Sequence, residues 1–320
     1  MPESEALFPK IHLYESKVNT GFVGNNIGMK YALDSNFDYV FLLNADTVVD
    51  PDFLNQAVAS GEKDKGIGAV QSFLMLWPDK NFVNSLGNKI HFLGFGYSFG
   101  YRWSVSQAEK YFGKSDNRDI AYASGAAVLY RAAYLRDVGF FDEKFFLYHE
   151  DLDLSWRLRM LRANIVISPN SIVFHKYEFS RSILKYYFME RNRLIFLFKN
   201  FQISTLVLIS PALLVMELGL LLFALKSGFW RDKLRAYVFF LDYKNWQYIL
   251  KERKKVQGSR ATRDRELFKW LSGAITFQDI DSPLLTYLVN PIFSLYWWLV
   301  KKLILWWTNF LENQKKEPEF

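Results

Sequence analysis

The segment that most constrains the fold of this chain is a short apolar run that ends in an acidic turn. Tyr39–Leu43 is apolar throughout and too short for a helix, which is typical of a buried strand. The turn Asn44-Ala45-Asp46-Thr47 follows at once, so the strand delivers the Asp46 carboxylate to its carboxyl end. Ligands of open α/β sheets bind at that edge. We therefore expect a metal-phosphate site at Asp46. An acidic turn that only caps a helix is the alternative.

The residues after this turn have the signals of a helix start, and strands and helices then alternate. Asp50 suits the N-cap, Pro51 the first helical position and Asp52 the first turn. Residues 77–119 show no sustained period and are expected to form loops. The alternation predicts an α/β layer fold. Strands are expected at 67–76, 120–130, 165–167 and 172–174, and helices at 132–138 and 152–162.

The composition bounds the class of protein. With 320 residues, the chain is long enough for one large domain and an appendage. It has no cysteine, which excludes a disulfide framework, a thiolate metal site and a cysteine nucleophile. The first residues show no basic start followed by an apolar stretch, so no secretory signal is expected.

The chain becomes strongly apolar near residue 204. Residues 204–225 contain a single charge, Glu217. As a helix this stretch is ~33 Å long, enough to cross a bilayer core of ~30 Å. A second apolar stretch covers 284–300 and resumes after two lysines. Between the two, residues 229–250 have the pattern of one basic amphipathic helix.

The positive charge of the chain belongs to this region. Residues 226–269 hold 13 Lys and Arg against 5 Asp and Glu, a net charge of +8, whereas the whole chain carries +7. Because these charges flank apolar helices and no nucleic-acid motif, we expect anionic lipid and no nucleic acid as the partner.

Two membrane arrangements of the tail are open, besides burial in a soluble protein. If both apolar stretches spanned, the basic segment would lie on the far side of the membrane, against the positive-inside tendency. In-plane attachment keeps it on the cytoplasmic leaflet. The Trp pairs 297/298 and 306/307 favour the headgroup level. We therefore expect in-plane attachment at the cytoplasmic face of the cell membrane.

Three further segments carry groups suited to chemistry. His149-Glu150-Asp151-Leu152-Asp153 places three carboxylates at a helix start, as caps or as a general base. His175 follows a strand-like run. With Asp46 at a neighbouring strand end, it would suit Mg²⁺ or Mn²⁺ and diphosphate oxygens; a purely structural histidine is the alternative. Residues 19–28, rich in Gly and Asn, suit a nucleotide or a flexible turn.

In order and spacing, these segments resemble family 2 glycosyltransferases with the GT-A fold, in particular the bacterial rhamnosyltransferase-like branch. Residues 19–28 resemble the N-x-G-F-x-G-x-N-x-G stretch. Residues 42–47 are similar to L-L-N-P-D-T, with Ala45 in place of proline. Residues 138–154 resemble G-x-F-D-E followed by E-D-x-D-L, and 173–175 end in the histidine that often completes the metal site. The likeness spans roughly residues 10 to 200.

The resemblance implies a fold and an activity. It implies a GT-A (Rossmann-like) mixed sheet flanked by helices over residues 1–200, with a helical membrane-associated tail over 201–320. The activity would be inverting transfer of a sugar from a nucleotide-diphosphate donor to an acceptor hydroxyl. The tail adds the expectation of a lipid-linked glycan acceptor in cell-surface polysaccharide synthesis.

The resemblance also assigns roles. Asp46 and His175 would bind Mg²⁺ or Mn²⁺, Asp151 would be the base, and Glu150 would orient Asp151 or the acceptor. Ser124 and Gly125 would contact the acceptor. Arg191 and Arg193 would pair with the diphosphate, or would form only a basic flank of the apolar segment. The expected donor-binding residues are Asn19, Gly21, Gly24, Asn26, Asn44, Asp46, Arg191 and Arg193.

One departure from the family pattern raises alternatives. The family normally opens with two strands that hold the nucleotide base, whereas this chain starts at about the third, which predicts an N-terminally truncated core. A truncated, inactive homologue that acts as a membrane-associated assembly partner is therefore an alternative. A metal-dependent nucleotidyltransferase, which would also use acidic strand ends, is another.

Overall fold

The computed structural model describes residues 11–113, 118–177, 186–276 and 283–314, with side chains up to residue 304. Within these residues, seven strands form one mixed sheet in the order β1-β8-β3-β9-β2, with β4 beside β3 and β7 beside β9. A smaller sheet has the order β10-β5-β6. The strands are β1 (Tyr39–Leu43), β2 (Thr47–Val49), β3 (Ile67–Leu76), β4 (Val83–Ser85), β5 (Asn88–His91), β6 (Gly96–Ser98), β7 (Arg118–Asp119), β8 (Ala127–Arg131), β9 (Asn164–His175) and β10 (Leu271–Ser272).

Helices pack on the large sheet and continue beyond it. α1 packs against β1, α2 and α5 against β9, and α4 against β8. The predicted fold class, an α/β mixed sheet flanked by helices, is thus confirmed. The helices are α1 (Asn25–Asp34), α2 (Phe53–Glu62), α3 (Val105–Phe112), α4 (Ala132–Val138), α5 (Glu150–Met160), α6 (Tyr186–Asn200), α7 (Ile203–Ser227), α8 (Trp230–Phe239), α9 (Tyr243–Ser259), α10 (Asp264–Leu267) and α11 (Asn290–Gln314).

The registers bring several strand ends to one edge of the large sheet. β1 pairs antiparallel with β8, so that Leu43 lies opposite Ala127. β3 and β9 run parallel and end together, with Leu76 beside His175. β2 begins at the same place, since Thr47 lies opposite His175. The turn that carries Asp46 and the end of β9 therefore share this edge.

Several predicted elements differ from those in the structure. α2 begins at Phe53 with Asp52 as its N-cap, because Asp50 instead closes a turn by accepting the Asp52 N–H at 3.1 Å. The two short strands predicted at 165–167 and 172–174 form the single strand β9. The predicted strand at 120–130 is regular only over β8.

The expectation that residues 77–119 form only loops is wrong. They contain four short strands, β4 to β7, and α3, and the strands are too short to show a period in the sequence. α3 begins at a capping box in which Ser104 Oγ accepts the Gln107 N–H, while Gln107 Oε1 accepts the Ser104 N–H. Buried residues of this segment, such as Ile90 and Phe92, join the core.

The C-terminal helices share that core. Ile90, Phe92 and Trp156 form one hydrophobic cluster with Ile249 and Trp297. Trp297 is 2% exposed and stacks on Phe92 with ring centroids 5.0 Å apart, so its predicted place at the headgroup level is wrong. The side chains of the pair 306/307 lie outside the described part of the chain. The division into two domains at residue 200 stays a prediction.

The basic segment forms two helices instead of the predicted one. α8 ends at Phe239, and Asp242 caps α9 by accepting the Lys244 N–H at 2.8 Å. α7, which precedes them, has a mean hydropathy of 2.4 over its most apolar window. Within the described residues it is the one helix whose length and composition would allow it to cross a membrane.

Candidate active site

Asp46 and His175 face each other at the sheet edge. His175 Nε2 lies 3.4 Å from Asp46 Oδ1. The backbone fixes this approach, because Thr47 and His175 are register partners and the Lys176 N–H donates to the Asp46 carbonyl at 2.9 Å. The Asp46 side chain is 47% exposed, whereas that of His175 is 11% exposed. A buried nitrogen and an open carboxylate therefore meet where a substrate has access.

The orientation of the His175 ring is set by a residue that the sequence did not single out. His175 Nδ1 lies 2.9 Å from the Oδ1 of Asn84, a buried residue of β4. An amide oxygen only accepts, so Nδ1 carries the proton and Nε2 keeps its lone pair towards Asp46. Burial lowers the pKa of His175, although Asp46 acts in the opposite direction. The ring is thus held neutral, in the tautomer that binds a cation.

The two side chains fit a divalent cation. Neighbouring ligands of octahedral Mg²⁺, at ~2.1 Å from the ion, lie about 3 Å apart. The 3.4 Å between Nε2 and Oδ1 is close to that spacing. No group of three or more His, Asp or Glu that could hold a metal occurs among the described residues. Substrate oxygens and water would have to supply the remaining ligands, as is usual for Mg²⁺ at phosphate sites.

Asp151 lies in the first turn of α5 and accepts two backbone N–H groups. Gly125 N–H donates to Oδ2 at 3.0 Å, and Leu152 N–H donates to Oδ1 at 2.7 Å. Burial raises the pKa of Asp151, although these hydrogen bonds act against the rise. The carboxylate is therefore held in one orientation beside the predicted acceptor residues Ser124 and Gly125.

Glu150 has a different environment from that of its neighbour. It is 5% exposed, and its Oε2 has no hydrogen-bond partner among the described residues. Burial, with the nearby charges of Asp151 and Asp153, raises its pKa well above the usual value. The uncharged form of Glu150 is thus favoured more than in a solvated glutamate. Asp153, in contrast, is paired with Arg157 at 2.9 Å and with Lys199 at 2.9 Å.

A short chain of backbone contacts connects the two halves of the site. Asn44, two positions before Asp46, donates its N–H to the Ala126 carbonyl at 2.9 Å. Gly125, one residue before Ala126, donates to Asp151. These contacts connect Asp151 to the sheet edge at which Asp46 and His175 meet. The chemical roles of these three residues remain predictions.

The Gly- and Asn-rich loop packs against the segment that leads into α5. Asn19 Oδ1 accepts the Gly21 N–H at 2.9 Å, which closes a turn. Gly21 has φ +67, and a Cβ there would lie 2.2 Å from the Phe146 carbonyl oxygen. The next residue, Phe22, donates its N–H to that same oxygen at 2.8 Å. Only glycine allows this close approach.

Two other residues predicted to bind the donor have structural contacts. A Cβ at Gly24 would lie 2.8 Å from Thr20 Oγ1. The Asn26 amide donates to the Phe141 carbonyl at 2.9 Å and accepts the Phe141 N–H at 3.0 Å. Each polar atom of Asn26 keeps capacity for a second hydrogen bond, so its predicted contact with nucleotide hydroxyls stays a prediction. Asn26 ties α1 to the segment before α5.

The predicted diphosphate contacts of Arg191 and Arg193 are corrected. Arg193 is fully buried, bonded to Glu190 and Glu217 and to the Leu93 carbonyl. Arg191 is 7% exposed and donates to the carbonyl oxygens of residues 144 and 145. Both guanidinium groups hold α6 in place, because their donors are directed into the protein.

The approach to α5 contains backbone strain that the sequence does not signal. Phe146, Tyr148 and His149 have φ values of 64, 66 and 70. Such left-handed conformations in large residues cost free energy and are concentrated at functional sites. His149 Nε2 lies 3.1 Å from the Gly94 carbonyl, and burial lowers its pKa to about 4. A neutral His149 thus anchors the strained turn that presents Glu150 and Asp151.

Known proteins share part of their sequence with this chain. The chain is 25% identical over 166 residues to the low-salt glycan biosynthesis hexosyltransferase Agl10 of Haloferax volcanii, covering 51% of this chain and 50% of that protein. It is 26% identical over 147 residues to a poly-β-1,6-N-acetyl-D-glucosamine synthase of Staphylococcus epidermidis, covering 46% and 32%. The chain thus spans half or less of the length of these relatives.

A solved structure and a family model also match this chain. GalNAc-T7 with UDP, GalNAc and Mn²⁺ gives a TM-score of 0.43 at 12% identity, over 57% of this chain and 35% of that chain. The rhamnosyltransferase-like branch and the N-terminal truncation stay predictions. The family model "Glycosyltransferase like family 2" matches residues 5–196, more than half of the chain. The chain therefore belongs to the glycosyltransferase family 2-like proteins.

Proposed function

We propose that this protein is an inverting glycosyltransferase that moves a sugar from a nucleotide-diphosphate donor to a hydroxyl of a glycan acceptor. The observation that carries the proposal is the pairing of Asp46 with a neutral, oriented His175 at the sheet edge to which backbone contacts connect Asp151. Membership of the family supports the reaction class.

Asp46 and His175 are the residues that would hold Mg²⁺ or Mn²⁺. When bound, the cation neutralises the diphosphate charge that develops as the leaving group departs. The half-exposed Asp46 carboxylate leaves room for phosphate oxygens, and Asn84 keeps the His175 nitrogen directed towards it. The donor diphosphate would therefore lie over the turn between β1 and β2.

Asp151 is the proposed base. Ionised, it accepts the proton of the acceptor hydroxyl as that oxygen attacks the anomeric carbon and the bond to the diphosphate breaks on the opposite face. The two N–H donors leave each Asp151 oxygen with further acceptor capacity and fix the direction of the carboxylate. Its raised pKa makes Asp151 a stronger base than a solvated aspartate.

Glu150 is proposed as a positioning residue for Asp151. Because its own pKa is raised, Glu150 carries less negative charge beside the base, which favours the ionised form of Asp151. Ser124 and Gly125 border the same space and are proposed to contact the acceptor. The Gly125 N–H holds Asp151, and the Ser124 N–H donates to the buried Gln71 at 2.9 Å.

We further propose a lipid-linked glycan acceptor and a location on the cytoplasmic face of the membrane, in cell-surface polysaccharide synthesis. The exposed apolar side chains of α7 and α11 support a membrane location. An enzyme held at a bilayer meets a lipid-linked substrate in two dimensions. Names of the related proteins refer to glycan biosynthesis and poly-N-acetylglucosamine synthesis, which supports a glycan acceptor.

A donor screen tests this function. The full chain is incubated with nucleotide sugars, Mn²⁺ and a polyprenyl diphosphate glycan, and the products are separated by mass spectrometry. Glycosylated acceptor with released nucleoside diphosphate is expected. Release of sugar 1-phosphate, with the nucleotidyl group joined to the acceptor, would instead indicate a nucleotidyltransferase. Absence of donor binding and of turnover with every donor would favour the inactive homologue. Either result would contradict the proposal.

A further inference from the structure

α7 exposes a continuous apolar face. The outward side chains recur three, four or seven positions apart, which places them on one side of a helix. The inward face holds Ile209, Ala212 and Met216, which are buried. The outward residues, each more than half exposed, include Ile203, Val207, Leu214, Leu218, Leu222 and Leu225. Water is a poor environment for such a face.

α11 has the same two-sided character and is tied to α7. Its inward residues Phe293 and Trp297 are buried, while Ile292 and Leu295 are more than half exposed. The Tyr296 hydroxyl donates to the carbonyl of Leu208 at 2.6 Å. Two connected helices of the tail thus present apolar surface outwards.

Glu217, the one acidic residue of α7, is held in a buried ion cluster with residues of α6 and α8. We call Glu190, Arg193, Glu217 and Lys233 the ion cluster. Lys233 Nζ lies 2.7 Å from Glu217, and Arg193 pairs with both Glu190 and Glu217. Arg193 and Lys233 have no exposed surface. The charges are therefore compensated within the protein, away from the apolar face.

The ion cluster restricts how α7 can meet a membrane. Glu217 lies 14 residues after Ile203, ~21 Å along the helix at ~1.5 Å per residue. If α7 crossed the ~30 Å core, Glu217 would be well inside the hydrocarbon. Arg193, which is paired with Glu217, would have to enter the hydrocarbon as well. Arg193 also donates to the Leu93 carbonyl next to β5. Spanning would thus pull the catalytic part of the chain into lipid or break the ion cluster.

Exposed cations lie next to this apolar surface. Lys226 lies in the last turn of α7, and Arg231 and Arg235 follow on α8, close in sequence to the exposed Leu234 and Val238. Cations beside exposed leucine and valine fit the boundary between acyl chains and anionic headgroups.

We propose that the apolar face of α7 lies in the plane of one leaflet of an anionic bilayer. The ion cluster holds α7 in this orientation, with α8 and α9 on the same side of the membrane as the catalytic part. This inference deepens the proposed membrane location of the enzyme. Its test uses binding and labelling, so a failure of sugar transfer would leave it intact.

Vesicle binding tests the partner. The full chain is sedimented with phosphatidylcholine vesicles, with and without phosphatidylglycerol. Anionic vesicles are expected to bind at least about tenfold more protein, since each basic residue near the surface adds to the attraction. The double variant Leu218→Asp/Leu222→Asp should lose this binding, whereas Leu54→Asp, at an exposed site on α2, should keep it. Failure to bind either vesicle, or unchanged binding of the double variant, would overturn the proposal.

Cysteine labelling tests the orientation, because the chain has no cysteine of its own. Lys110→Cys on α3 and Lys244→Cys on α9 are expressed separately, and sealed membrane vesicles are treated with an impermeant maleimide. In-plane attachment predicts that both variants are labelled from the same side. Labelling of Lys244→Cys only from the opposite side to Lys110→Cys would show that α7 spans, and would overturn the proposal.

Discussion

At the scale of single residues, the partners of a carboxylate distinguish a proposed catalytic side chain from a structural one. Asp151 and Asp153 lie two positions apart on α5. Asp151 accepts backbone N–H groups only and keeps free acceptor capacity. Asp153 is fully buried between Arg157 and Lys199. The sequence motif contains both acids, but it does not show which of them is paired.

The variant Asp151→Asn tests the base. The amide keeps the size of the side chain but accepts no proton, so turnover should fall by about 10²–10⁴-fold, the usual contribution of a general base. Donor affinity, measured by calorimetry, should stay within about twofold if the change affects only the proton transfer. Asp137→Asn, an exposed acid of α4, is the control and should keep full activity. Near-normal turnover of Asp151→Asn would remove the assignment.

A second prediction concerns Asn84. Asn84→Leu removes the acceptor of the His175 Nδ1–H, so the ring is no longer held in one tautomer. The Mn²⁺ concentration for half-maximal activity should rise by about 10–100-fold, as is typical for partners of metal-binding histidines. Asn55→Ala, an exposed amide on α2, is the control. An unchanged Mn²⁺ dependence of Asn84→Leu would show that the contact does not orient the ring.

At the scale of elements, long apolar runs were predictable and short irregular pieces were not. β1, β3 and α4 have the predicted bounds, because a mainly apolar run or a glycine stop defines them. β4, β5 and β6 are three or four residues long, too short to give a local period. Arg191 and Arg193 were placed at the diphosphate because the sequence shows charge but not burial.

The loop before α1 offers a matched pair of glycines. Gly21→Ala places a Cβ 2.2 Å from the Phe146 oxygen at φ +67, so both clash and left-handed strain oppose it. The strain alone costs about 1–2 kcal/mol of unfolding free energy. Gly28→Ala meets nothing within 4 Å inside α1 and should stabilise by about 0.5–1 kcal/mol. Urea unfolding measures both, and equal effects would contradict this account of the loop.

At the scale of the whole molecule, charge pairs and a shared core join the tail to the sheet. Glu217 of the tail binds Arg193 of α6, and Trp297 of α11 stacks on Phe92. The sequence indicated a separate basic tail, because charge and hydropathy alone do not show which residues pair across 24 or more positions. The convergence of Asp46 and His175, in contrast, was predictable from motif order and strand ends.

The ion cluster makes a prediction for stability. Glu217→Ala leaves two buried cations with one carboxylate. The free energy of unfolding, measured in urea, should therefore fall by on the order of 3–5 kcal/mol. Asp34→Ala breaks the exposed pair with Lys30 and should cost less than about 1 kcal/mol.

The pairing of Glu217 with Arg193 and Lys233 lowers the pKa of Glu217 to about 2. Because this folded-state pKa is depressed, the contribution of Glu217 to the free energy of unfolding is fully present above its pKa in the unfolded chain, ~4.3. The contribution is lost as the pH falls towards 2.

That pH dependence gives its own check. The difference in unfolding free energy between the wild type and Glu217→Ala should be constant near neutral pH and should shrink below about pH 4. A difference that grows on acidification, or is the same at all pH values, would mean that Glu217 is not held as an ion in the folded protein.

Binding of Mn²⁺ at Asp46 and His175 is the most direct test of the central claim. Electron paramagnetic resonance of the full chain, titrated with Mn²⁺ in the presence of the nucleoside diphosphate that the donor screen identifies, counts bound ions without any turnover. We predict one bound ion in the wild type and at least about tenfold weaker binding in Asp46→Asn and in His175→Gln, with Asp137→Asn unchanged. Undiminished Mn²⁺ binding in both site variants would contradict the account.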